Sequence, residues 1–143
     1  NLMSWLENVF AKIRQYSDRP IVIRWHPGDW KSYPNYADLL TKYNATVSPQ
    51  GKHITEDLVN CWALVCHNSS PCAVAPIEGI PAFITDHPSY SQGGDIANTD
   101  FRLLENPNLP DREQWIRKLA QCHWNFKDLR SGRCWAHMRQ WVV

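Results

Sequence analysis

Residues 62–86 read WALVCHNSSPCAVAPIEGIPAFITD. The apolar run from Trp62 to Cys66 stops at His67-Asn68-Ser69-Ser70-Pro71, a segment of small residues follows, and Gly79-Ile80-Pro81 opens a second apolar run that ends at Thr85. A run apolar on both faces reads as a strand in a sheet covered by helices on each side. Pro71 suits the first position of a helix, where its missing N–H would have had no partner. Ser70 is the expected cap of that helix. Pro76 keeps the helix short or kinked, and Gly79 stands where a helix end takes a left-handed residue. Pro81 is tolerable at the start of the next strand. Strand, helix and strand in this order are the unit of a parallel sheet.

Upstream, Leu2, Leu6, Val9, Phe10 and Ile13 recur at helical spacing, which predicts an amphipathic helix over 2–16. Ser17-Asp18-Arg19-Pro20 ends it. Ile21 to Trp25 is a β-branched run and predicts a strand, closed by the turn cluster His26-Pro27-Gly28-Asp29. A helix over 36–43, a brief strand over 45–47 and a short helix over 54–59 capped by Thr55 come next. Downstream, 87–100 is a polar loop containing Gly93-Gly94, and Phe101 to Leu104 is a last short strand. Asp111 caps a helix carrying Trp115, Ile116, Leu119 and Cys122, and a final helix carries Leu129, Trp135, Met138, Trp141 and Val142. The fold class expected is α/β: a Rossmann-like three-layer sandwich with a mostly parallel sheet, closed by two C-terminal helices, with 1–143 as a single domain.

Composition narrows the function classes. A chain of 143 residues with 43% hydrophobic and 20% charged residues can bury a core without staples. A net charge of +1 gives no bulk footprint for nucleic acid. No window approaches the roughly 18 apolar residues of a membrane span, and no signal-peptide pattern is visible. The five cysteines form no CxxC pair and read as reduced thiols of a cytoplasmic protein. Cys122, His123, Cys134 and His137 lack the second close pair that structural zinc sites show, so no metal and no cofactor are expected. Eight tryptophans suit a core or an interface.

In parallel sheets, ligands bind outside the carboxyl ends of the strands. Three such ends carry polar residues here. At His67, Asn68, Ser69 and Ser70 a helix N-terminus coincides with two hydroxyls, which together form a seat for phosphate without lysine. The plainer alternative is a single capping serine. His26 and His67 end different strands and are candidates for ligand contact and for proton transfer. Arg24 is either an edge residue or an anion ligand. Tyr90, Gly93 and Gly94 lie in a loop that permits close backbone approach or is an ordinary turn. Glu78, at a helix C-terminus, is a carboxylate against the local dipole, or simply a solvated one. No catalytic motif assigns a base, so the catalytic residues stay open.

The strand ending in Arg24-Trp25-His26-Pro27, followed by HNSSPCAVAPIEGIPAFI, resembles the C-terminal half of GT-B glycosyltransferases of the bacterial capsule and lipopolysaccharide type. The resemblance spans roughly 21–86. It implies that the chain is the nucleotide-sugar donor-binding half of a two-domain transferase of polysaccharide biosynthesis. Ser69 and Ser70 would then face the donor's phosphates and His26 would point into the cleft. A nucleotide-sugar or nucleotide is the ligand implied, and the acceptor lies in an N-terminal half supplied by a longer polypeptide or a partner. The glutamate that many such enzymes carry five residues before the glycine of this turn, on the ribose hydroxyls, is Val74 in this chain. A rival reading makes the chain a non-catalytic Rossmann-like assembly module, a homo-oligomer joined through the tryptophans of its last two helices.

Overall fold

The structure is a computed structural model that describes residues 2–26, 28, 36–67, 69–86 and 96–141. The chain divides into two compact units, Asn1–Pro110 and Asp111–Val143. It is mixed α/β, and all described strand pairing is parallel.

The first unit begins with α1 (Leu2–Tyr16), whose buried stripe is Leu6, Val9, Phe10 and Ile13. These are the positions that the helical spacing singles out. At its end Arg14 bonds the carbonyl oxygens of Tyr43 and Arg19, both at 2.8 Å, and ties the helix to two later segments. β1 (Ile21–Ile23), α2 (Ala37–Tyr43) and β2 (Ala45–Val47) follow, and β1 pairs with β2 in register Ile21↔Ala45 to Ile23↔Val47. Ile21 and Ile23 are buried while Val22 is exposed, so β1 buries one face only. Asn44, left-handed at φ 47°, turns the chain from α2 directly into β2.

α3 (Ile54–Leu58) leads to β3 (Leu64–Cys66), α4 (Pro71–Ile77) and β4 (Ala82–Ile84). β3 pairs with β4 in register Leu64↔Ala82 to Cys66↔Ile84. Asn98 extends this pair on the far side of β4: its N–H donates to Ala82 O at 2.8 Å, and Ile84 N–H donates to Asn98 O at 2.9 Å. The buried Asn98 side chain is satisfied in turn, because its amide donates to Asn108 O and its Oδ1 accepts from Asn108 N–H at 3.0 Å. β4 is therefore flanked on both sides, and all three of its residues are buried. One core joins α1, β1, Leu39 of α2, Phe83 of β4, Phe101 and Leu104.

Several expectations are corrected locally. Residues 101–103 form a 3-10 turn in place of a strand, because Asp100 accepts from Arg102 N–H at 3.0 Å and bends the chain there. His53, not Thr55, caps α3, in a capping box with Glu56. The serine expected to cap α4 makes no side-chain cap bond. Cys66 and Cys72 are joined as a disulfide in place of two of the expected free thiols. Under denaturing, non-reducing conditions thiol titration should therefore count three thiols, those of Cys61, Cys122 and Cys134, and five after reduction. In the native state Cys61 should react slowly, since burial pushes its thiol pKa up.

The second unit holds α5 (Glu113–Gln121), α6 (Phe126–Arg130) and α7 (Arg133–Met138). Asp111 does serve the start of α5, accepting from Glu113 N–H at 3.0 Å. The single final helix expected is broken in two at Gly132, which is left-handed at φ 75°. Among the described residues no helix is long and apolar enough to cross a membrane.

Candidate functional site

Each parallel pair presents a polar carboxyl edge. At the β1 edge, Arg24 is committed inside the protein. Its guanidinium meets Asp57 Oδ2 at 2.6 Å and Lys52 O at 2.5 Å. Asp57 also takes Lys52 Nζ at 2.7 Å and the Ser48 hydroxyl at 2.7 Å, and Ser48 N–H donates to Ile23 O at 2.8 Å. Burial alone would push the Asp57 carboxyl up, but the hydrogen bonds from Lys52, Ser48 and Arg24 hold it below its ordinary value. Arg24 is thus not an exposed edge residue, and the anion it reaches is the protein's own Asp57: it ties the end of β1 to α3. His26 is exposed, and its Nδ1 accepts from Gly28 N–H at 3.2 Å, which puts the proton of a neutral ring on Nε2.

At the β3/β4 edge the side chains form a relay. Trp5 Nε1–H donates to Thr85 Oγ1 at 2.8 Å, and Thr85 Oγ1 lies 3.0 Å from His67 Nδ1. The Thr85 hydroxyl also reaches Cys66 O, at 3.5 Å. Thr85 Oγ1 thus accepts from Trp5 and donates to Cys66 O, and the direction of its contact with His67 Nδ1 is set by the tautomer of the ring. The Trp5 ring also lies tilted against His67, with centroids 5.9 Å apart. His67 is exposed, and its orientation is set from α1 and β4 together. Neither Trp5 nor Thr85 stood out in the sequence. Trp5 is half-buried on an amphipathic helix, and Thr85 follows a strand, and only folding brings them beside His67.

Ser69 is half-buried and Ser70 exposed. Their carbonyl oxygens close the first turn of α4, accepting from Cys72 at 3.0 Å, Ala73 at 2.9 Å and Val74 at 3.3 Å. The amides expected to face a ligand are therefore used within the turn, and Pro71 has none. The expected seat on the first turn of α4 is corrected accordingly. An anion at this corner would meet the hydroxyls of Ser69 and Ser70 rather than the amides of the first turn of α4. α4 has seven residues, so its dipole is small beside the hydroxyls.

Glu78 lies at the C-terminal end of α4, about 12 Å from Ser70 along the helix axis, and does not join that corner. Asn68, Tyr90, Gly93 and Gly94 lie outside the described residues. His26 and His67 end strands of different pairs, so the pairing register does not bring them together. Among the described residues no group of three or more His, Cys, Asp or Glu side chains is close enough to share a metal ion. Among the described residues of the first unit, two of the clefts lie elsewhere. One, of about 460 Å³, is bounded by the turn from Ile96 to Asp100 and by Asn108 to Pro110. The other, of about 660 Å³, lies between the end of α1 and Glu105. The second is a structural junction: Glu105 pairs with Arg19 at 3.0 Å and accepts from Ser17, and Arg19 stacks over Trp62 at 3.7 Å.

No protein-family model matches the chain, and neither a curated protein nor a solved structure is significantly similar to it.

Proposed function

We propose that the chain is the nucleotide-sugar donor-binding part of a GT-B-like glycosyltransferase acting in polysaccharide biosynthesis, with the donor's phosphates at the His67–Ser70 corner. The observation that carries this reading is the Trp5–Thr85–His67 relay at the carboxyl edge of a parallel strand–helix–strand pair, beside Ser69 and Ser70. In this reading the two parallel pairs belong to one Rossmann-like three-layer sandwich. The His67 ring and the serine hydroxyls donate to phosphate oxygens. As the sugar leaves, negative charge grows on the nucleotide, and donors already oriented by the fold stabilise it without reorganisation. His26, with Nε2–H as donor at the other strand end, is the second candidate for that work.

The acceptor site and the catalytic base belong to an N-terminal half or a partner chain. The isolated chain should therefore bind nucleotide and turn over little. Val74 occupies the position of the ribose-binding carboxylate of many such enzymes, so most of the affinity is expected from the phosphates.

Calorimetric titration of UDP, GDP and CMP tests the reading. Diphosphates should bind, and Ser69→Ala/Ser70→Ala should weaken them about tenfold or more, as expected for lost hydrogen bonds to a charged group. If the parent chain and the double variant show the same heat, or none at millimolar nucleotide, the donor-site reading is wrong.

A further inference from the structure

The second unit differs from the first in charge and in surface. Residues 111–143 hold seven Lys and Arg against three Asp and Glu, a net +4, whereas residues 1–110 hold eight against eleven, a net −3. The near-neutral total conceals this division. The same basic segment exposes large apolar side chains: Phe126 at 78%, Trp141 at 76% and Trp135 at 62%, with Leu129 and Met138 about half exposed. Cys134 is the buried residue of α7, and α6 has none.

These side chains are patterned. Phe126 and Leu129 are three residues apart on α6, as are Trp135 and Met138 on α7, so each pair shares a helix face. Lys127 and Arg130, also three apart, run beside the first pair, and Arg139 follows the second. Aromatic and aliphatic groups flanked by basic ones are the makeup of a segment that lies in the plane of a membrane surface. Indole rings favour the level of the lipid headgroups, and Lys and Arg are drawn to anionic lipid.

Charge decides between occupants. A second copy of the same face would bring +4 against +4. Nucleic acid would meet the charge but would give Leu129 and Met138 nothing to bury against. An anionic bilayer answers both. We propose that residues 111–143 dock the protein on an anionic lipid surface, with Phe126, Trp135 and Trp141 seated at the boundary between headgroups and acyl chains. This goes beyond the donor-site reading and does not depend on it.

Co-sedimentation of the whole chain with vesicles tests the proposal. Phosphatidylglycerol/phosphatidylcholine vesicles should bind it about tenfold or more tightly than pure phosphatidylcholine, and raising the salt should release it. Trp135→Ser/Trp141→Ser should weaken binding by about tenfold, since buried apolar area contributes alongside charge. Circular dichroism of this variant should match the parent, because both tryptophans are exposed. Bromine-labelled lipid should quench fluorescence in the parent more than in the variant. The proposal is overturned if the chain ignores anionic vesicles. It is equally overturned if binding survives the double substitution unchanged, which would mark a purely electrostatic contact. Dimerisation in sedimentation equilibrium that the same substitutions abolish, without vesicle binding, would assign the face to self-association instead.

Discussion

Phe83→Ala is expected to destabilise the first unit by about 3–5 kcal/mol, the cost of emptying a fully buried aromatic site. Phe83 is the middle residue of β4 and has no exposed surface. It packs with α1 and β1 in one core and lies against Phe101 with ring centroids 5.6 Å apart. Its backbone is flanked by Val65 on one side and Asn98 on the other, so the strand cannot easily shift to refill the space. A domain of this size is stable by only about 5–15 kcal/mol, so the loss is a large share of the whole. Urea denaturation followed by far-ultraviolet circular dichroism measures it. A loss below about 1 kcal/mol would mean that β4 is not the centre of the core.

Asp57→Ala is expected to cost about 2–3 kcal/mol, because it strands two cations and a hydroxyl that now converge on one carboxylate. The figure is below that of a fully buried pair because the Arg24 and Lys52 side chains keep 27% and 33% of their surface in solvent, whereas Asp57 keeps 14%. The same carboxylate gives the fold an acid limb. Its folded-state pKa is lowered, so its contribution is complete above the unfolded value of about 3.9 and is lost as pH falls through the lower folded value. Denaturation midpoints of the parent should drop below about pH 4 more steeply than those of the Ala variant. Parallel slopes would show that the cluster contributes little.

The apolar periodicities made most of the scaffold legible. Leu6, Val9, Phe10 and Ile13 marked α1, and the two apolar runs on either side of Pro71 marked β3 and β4. What failed was decided by single local features, a polar contact in one place and a left-handed glycine in another, that outweigh the propensity of their neighbours. Asp100 curls 101–103 into a turn although Phe101, Leu103 and Leu104 suit a strand. Gly132 divides what reads as one terminal helix. The candidate site was legible in its types and not in its wiring. His67, Ser69 and Ser70 could be read from the quoted stretch. Trp5 and Thr85 could not, because they stand 62 positions before and 18 after His67, and only the parallel pairing and the packing of α1 bring them together. Arg24 shows the converse: a residue suited to an anion was claimed by Asp57, 33 positions away, a match that no local pattern announces. Charge was misleading in the same way, since the +1 total sums two segments of opposite sign.

The most direct test of the proposed donor site is residue-resolved. In a 1H–15N spectrum of the whole labelled chain titrated with UDP, the amides of His67, Ser69, Ser70 and Thr85 should move together and saturate, while Glu78, at the other end of α4, stays still. Saturating shifts that spare those four residues, or a spectrum unmoved by millimolar UDP, GDP and CMP alike, would contradict it.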